Sequence, residues 1–208
     1  FPSLSDTEQK NFELLLREAS SQTASLTPLS TRAFSKIAFG KRNEGIVAVA
    51  RFQTDLVTNF KPCPGSPIFI LEGIEKPGNL GAIFRTADAA GFGGILICGK
   101  GTDASNPAVI RASLGTVFCM PIACDTVSAV MQWCMTHKRN IIAATPDGDT
   151  HWHAGKLADQ PAILLGSEAH GISPLWLETA NNKTLTLETV ALPMHGLADS
   201  LNVSATAA

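Results

Sequence analysis

Five polar side chains stand where an apolar core has no use for them. They are Asn79 and Arg85 in Asn79-Leu-Gly-Ala-Ile-Phe-Arg85-Thr-Ala, Glu168 in Gly166-Ser-Glu168-Ala-His-Gly171, and Ser200 and Asn202 in Leu192-Pro-Met-His-Gly-Leu-Ala-Asp-Ser-Leu-Asn202-Val. A guanidinium is a permanent cation whose planar fork suits phosphate, and a carboxylate accepts several hydrogen bonds or balances such a cation. Amides and hydroxyls hold a bound group in one orientation. Each residue also has a plainer use. Asn79 can cap a helix, Arg85 can be a solvated charge near the positive end of one, Glu168 can be an exposed loop acid, and Asp199 or Ser200 can cap the last helix.

These segments need elements to position them. From Pro67 onward short apolar runs alternate with amphipathic ones, and the pattern predicts strands at 68–71, 94–98, 116–120, 140–144, 162–166 and 184–187. Helices are expected at 79–90, 107–113, 125–137, 174–180 and from 200 onward. Such alternation implies a parallel sheet with helices on both faces, and ligands of such sheets bind at the carboxyl ends of the strands. Asn106-Pro107 reads as an N-cap followed by proline at the first helical position. Leu80, Ile83, Phe84, Ala87 and Ala90 form one apolar face, which leaves Gly81 to allow close approach of another backbone or of a ligand.

In this order the three segments resemble the signature motifs of the SpoU (TrmH-like) RNA 2′-O-ribose methyltransferases. The resemblance implies an α/β fold with a C-terminal trefoil knot (SPOUT) and S-adenosylmethionine as cofactor. It assigns catalysis to Asn79, Arg85, Glu168, Ser200 and Asn202. It assigns the cofactor to Ala144, Thr145, Gly166, Glu168, Gly171, Leu192, Met194, Gly196 and Leu201. His195 departs from the small residue usual in that motif. The implied reaction methylates a ribose 2′-hydroxyl of RNA, with ribosomal RNA favoured and transfer RNA next. A guanidinium keeps its proton up to a pKa above ~12, so Arg85 suits charge stabilisation better than general-base work, and the proton acceptor stays unassigned. Two alternatives remain open: a catalytically inactive RNA-binding relative, and a nucleotide-dependent oxidoreductase. The second lacks a G-x-G-x-x-G between a first strand and helix.

Composition frames these expectations. The 208 residues are 45% hydrophobic, enough for a sizeable core, and no apolar run reaches the 18 or so residues of a membrane span. Cys63, Cys98, Cys119, Cys124 and Cys134 form no C-x-x-C pair, which predicts buried free thiols and a cytoplasmic setting. His151 and His153 read as surface loop residues, and no metal is expected. The division expected is a partial N-terminal α/β RNA-substrate-binding domain over 1–60, with helices near 7–19 and 30–38 and a strand at 45–50, then a methyltransferase domain over 61–208. The chain starts at Phe1 and stops inside an apparent helix, as a piece of a longer protein would. Net charge is −2, yet Ala19 to Asn43 holds Arg32, Lys36, Lys41 and Arg42 without one acid, so this stretch is expected to meet RNA phosphate. The resemblance also implies a homodimer.

Overall fold

The computed structural model describes residues 45–153, 160–182 and 184–208, together with 7, 10, 13, 14, 17, 18, 25 and 27–38. The chain divides into two compact units, Phe1–Arg51 and Phe52–Ala208. In the first, helix α1 (Thr31–Ile37) starts at Ser30, whose Oγ accepts from the Ala33 amide at 3.3 Å. Of the helix expected at 7–19, the described residues Thr7, Lys10, Glu13, Leu14, Arg17 and Glu18 are helical, and the others lie outside the described residues. The strand expected at 45–50 is not formed. An apolar run becomes a strand only where a neighbour offers backbone partners, and no described residue does so here.

The second unit is built on seven parallel strands in the order β3-β2-β1-β6-β4-β7-β5. These are β1 (Ile68–Glu72), β2 (Ile95–Cys98), β3 (Ile122–Asp125), β4 (Ile141–Ala144), β5 (Thr150–His151), β6 (Ala162–Leu165) and β7 (Leu187–Ala191). Between them run α2 (Pro77–Ala89), α3 (Pro107–Ala112), α4 (Val127–Thr136) and α5 (Pro174–Asn181), and α6 (Val203–Thr206) follows β7. The period of two along each strand sorts the core into two layers. Ile68, Ile70, Leu96, Cys98 and Leu164 point to one face, where α4 and α5 cover them with Val130, Met131, Trp133 and Trp176. Phe69, Leu71, Ile95, Ile97 and Leu165 point to the other, beneath Leu80, Ile83 and Phe84 of α2, Val109 of α3 and Val203 of α6. Side chains of this size contribute roughly 1.5–3 kcal/mol each when fully buried, and burial on both faces explains why β1 is an unbroken apolar run up to Glu72.

Several expected boundaries move, each for a local reason. Residues 116–120 are not a strand. Leu114 (φ 54°) and Gly115 (φ 91°) are both left-handed, and Thr116–Phe118 closes a 3-10 turn in which Thr116 Oγ1 donates to the Ser113 carbonyl at 2.8 Å. The edge strand begins instead beyond Pro121, as β3, and Asp55 joins its outer side through Asp55 N to Ile122 O at 3.3 Å and Cys124 N to Asp55 O at 2.9 Å. The last strand starts at Leu187 rather than 184. The helix expected from 79 starts at Pro77, which puts Asn79 inside its first turn instead of at the cap. The helix expected from 125 starts at Val127 with Thr126 as its cap, whereas Asn106 caps α3 as its sequence predicts.

Gly81 serves helix packing. A Cβ there would lie 2.4 Å from the Ala112 Cβ and 2.8 Å from the Ala112 carbonyl carbon and the Ser113 nitrogen, so α2 and α3 meet backbone to backbone. Overpacking of this kind costs about 1–3 kcal/mol, more than the roughly 1 kcal/mol by which alanine outranks glycine inside a helix. Gly81→Ala is therefore expected to lower the unfolding free energy by up to about 2 kcal/mol, seen as a lower urea midpoint at unchanged m-value.

Candidate functional site

The chain leaves β1 toward β2 and β3 on one side, and later fills the other side with β4 and then β6. Parallel register aligns Leu71 with Leu165 and Ala144 with Leu165, so the carboxyl ends of β1, β6 and β4 lie side by side at this switch point. Glu72, the last residue of β1, is only 8% exposed. It accepts from the Ser173 amide at 3.0 Å and from Trp176 Nε1 at 2.9 Å, which ties β1 to the start of α5. The loop between β6 and α5 is thereby anchored at both ends.

That loop is drawn tight by its glycines. Ser167 and Gly171 exchange two backbone hydrogen bonds of 3.0 Å, and the His170 amide donates to Ser167 Oγ at 3.0 Å. A Cβ on Gly166 would lie 2.2 Å from the Gly171 carbonyl carbon, and Gly171 itself has φ of 64°. Only glycine fits this crossing.

Its product is the placement of Glu168. The carboxylate accepts from Lys76 Nζ and from Asn79 Nδ2, and its Oε1 also accepts from Asn202 Nδ2 at 3.2 Å. Asn202 Nδ2 lies 3.2 Å from Asn79 Oδ1 as well, while Asn202 Oδ1 caps α6 by accepting from the Ser204 amide at 2.9 Å and its hydroxyl at 2.6 Å. Asn202 is thus the cap expected of Asp199 or Ser200, and α6 begins at Val203. Hydrogen bonding and charge from Lys76, with a smaller contribution from Asn79, hold the Glu168 carboxyl below the usual glutamate value.

Two concavities flank this carboxylate. The larger, about 430 Å³, lies between the loops after β4, β6 and β7, and takes in Ala144, Thr145, Gly166, Glu168, Gly171, Leu192, Met194, Ser200 and Leu201. The smaller, about 200 Å³, lies at the start of α2 beside Lys76, Asn79 and Glu168. Gly196 borders neither, and a Cβ added to it would meet no atom within 4 Å, so Leu192 and Met194 form that wall without it. Arg85 is exposed on α2 and borders neither concavity, because it lies six residues beyond Asn79 on a different face of the helix. Lys41 and Arg42 lie outside the described residues, and Arg32 and Lys36 are exposed on α1 of the first unit.

Lys76 and Glu72 do not stand out in the sequence. The one signal for Lys76 is its place just before Pro77, the first residue of α2. His151 and His153 stack at 5.7 Å between ring centroids, and among the described residues no group of three or more His, Cys, Asp or Glu side chains could hold a metal ion. All five cysteines are free, but Cys63 and Cys119 are exposed, contrary to the expected burial. Burial pushes the Cys134 thiol up to about 12 and the Cys98 thiol still higher, so these two are core residues. No helix among the described residues is long and apolar enough to cross a membrane.

A carboxyl held low in the folded protein adds stability above its unfolded pKa, and that stability is lost as pH falls through the folded value. The Glu168 contacts should therefore persist through the ordinary glutamate range near 4.5 and come apart only below it. Side-chain amide NMR signals of Asn79 and Asn202 are expected to move together at that lower pH, and Glu168→Gln is expected to abolish the transition.

Comparison with known proteins places this geometry. Residues 66–208 match the SpoU rRNA Methylase family. The 23S rRNA (uridine(2479)-2′-O)-methyltransferase of Streptomyces viridochromogenes is 28% identical over 174 residues, which are 79% of this chain and 58% of that protein, so the chain spans little more than half its length. A solved RNA 2′-O ribose methyltransferase is 31% identical at a TM-score of 0.70, over 99% of this chain and 74% of the other. The SpoU methyltransferase AviRb of the same Streptomyces, in complex with the cofactor AdoMet, is 23% identical at a TM-score of 0.78, over 99% of this chain and 76% of its own, and shares the fold. The motifs that frame the switch point fall inside the matched residues, and the chain belongs to the SpoU rRNA methylase family.

Proposed function

We propose that this chain is the catalytic part of an enzyme that methylates a ribose 2′-hydroxyl of RNA with S-adenosylmethionine, ribosomal RNA being the favoured substrate and transfer RNA the next. The observation that carries this reading is the Glu168 cluster, set between two concavities where β1, β4 and β6 end. Relatives named for 2′-O-methylation of RNA support it.

The larger concavity fits the methyl donor. Its volume of about 430 Å³ falls in the range of small-molecule sites, roughly 300–1,000 Å³, and its walls mix apolar Ala144, Leu165, Leu192 and Leu201 with a few polar groups. In this reading Ala144, Thr145, Gly166, Gly171, Leu192, Met194 and Leu201 hold S-adenosylmethionine, which supplies an electrophilic methyl group when bound. Glu168, Asn79, Ser200 and Asn202 orient the ribose, so that the hydroxyl approaches in line and little reorganisation is left for the reacting moment. Arg85 acts from outside both concavities, where RNA lying over α2 brings phosphate within its reach. The reading includes the trefoil knot. Gly148, whose added Cβ would lie 2.4 Å from the Val190 carbonyl carbon, lets the loop after β4 press against the strand that runs on to 192–201.

The same reading takes 1–60 as part of an RNA-substrate-binding domain and 61–208 as the methyltransferase domain. Arg32 and Lys36, four residues apart on one face of α1, supply phosphate contacts together with Lys41 and Arg42. A homodimer fits the fully exposed Leu197 and the exposed Leu201 of the last loop. A cytoplasmic setting fits five unpaired cysteines.

Calorimetry is expected to show binding of S-adenosylmethionine, and mapping of ribosomal and transfer RNA is expected to show a 2′-O-methyl group present only with the protein. Absence of binding to the donor and to its demethylated product overturns the reading, and RNA binding without transfer leaves the inactive relative. In the same assay Arg85→Ala should cut single-turnover transfer by about 10²–10³ with donor affinity little changed. Replacing Arg32 and Lys36 by alanine should flatten the log-affinity against log-salt slope for RNA by about two.

A further inference from the structure

Around the two concavities the charges are unbalanced. Glu75, Asp147, Glu168 and Asp199 all border them, and Lys76 is the one cation among the described lining residues. Its side chain is 67% exposed, so a pair of this kind adds little to stability. Its geometry is another matter. Lys76 Nζ donates to Glu168 Oε2, whereas Asn79 and Asn202 both donate to Oε1. Without the ammonium Oε2 loses this donor, and the carboxylate is free to turn about its last torsion away from the two amides.

We propose that Lys76 is a positioning residue: it fixes the Glu168 carboxylate in the one orientation that keeps Asn79 and Asn202 facing the acceptor ribose, and it offsets the acids of the rim. The role of that orientation in methyl transfer rests on the function proposed above. The arrangement itself does not. Lys76 is suited to it because it sits immediately before Pro77, whose ring fixes the first turn of α2 and with it the distance from Lys76 to Asn79. The groups that touch the Glu168 carboxylate are Lys76 and Asn79 from the start of α2 and Asn202 from the cap of α6, while Glu75, Asp147 and Asp199 line the same two concavities. Removing Lys76 takes away the hydrogen bond and the positive charge that hold this carboxyl low, which favours protonation of Glu168.

Lys76→Met and Lys76→Arg test this in the whole protein. By carboxyl-carbon NMR, Lys76→Met is expected to move the Glu168 titration to higher pH and to shift the Asn79 and Asn202 side-chain amide signals. With S-adenosylmethionine and unmodified ribosomal RNA, it should lower kcat by about tenfold, leave the KM for the donor unchanged and move the acid limb of the rate profile to higher pH. Lys76→Arg should restore all of these. The proposal is overturned if Lys76→Met leaves the Glu168 titration and both amide signals as they are in the parent, or if arginine restores none of them. If neither the parent nor a variant transfers a methyl group, the proposed function fails, and the carboxyl titration still decides whether Lys76 fixes Glu168.

Discussion

The insertion of β6 between β1 and β4 is the constraint on which the site depends. A sheet covered on both faces has no water to satisfy its peptide groups, so each interior strand must pair on both sides. β6 does so with Ile68↔Ala162 on one side and Ile141↔Ala162 on the other, and these ladders bring three strands to an end at one level. A slip of one residue would carry Leu165 from the α2 face to the α4 face and Leu164 the other way. The two cores therefore lock the register, and the register delivers the loops after Glu72, Ala144 and Leu165 to one crevice.

Within that crevice, backbone shape and side-chain chemistry are coupled. Gly166 crosses the Gly171 backbone where no Cβ fits, and Glu72 holds Ser173 and Trp176 just beyond. A charged acceptor of this kind is costly to remove, because two donors lose their partner together. Glu168 projects from the loop so held. Asn202 then does two things with one amide: its oxygen starts α6 and its nitrogen reaches Glu168 and Asn79. The start of the last helix and the closing of the cluster are the same event.

The electrostatics are local rather than global. A net charge of −2 offers an RNA strand little long-range attraction, and the crevice itself is rimmed by acids. Lys76 is the one cation among the described residues that line the crevice, Arg85 stands exposed on α2, and the stretch from Ala19 to Asn43 holds four cations and no acid. This distribution suits a centre in which one carboxylate is held by neighbouring donors, and in the function proposed above phosphate is met elsewhere.

Much of this is legible in the chain. Strand and helix alternation follows from apolar runs that can be buried only on a two-sided sheet, the Asn106-Pro107 cap is a local matter, and the motifs around Asn79, Glu168 and Asn202 carry the family resemblance in their own residues. Local signals mislead where a partner decides the outcome. Thr116-Val-Phe-Cys-Met reads as a strand by composition, but the left-handed pair Leu114 and Gly115 turns it, and the ladder with β2 is made by Ile122–Asp125 instead. Cys119 is exposed for the same reason. Gly81 and Gly166 signal a close approach without revealing that the neighbours are Ala112 and Gly171. Lys76, 92 residues from Glu168, and Glu72, 104 residues from Trp176, are invisible as partners. Periodicity and capping are short-range properties that a sequence records directly, whereas which loops share a crevice is decided by the order of strands in the sheet, and that order exists only once every interior strand has found its two neighbours.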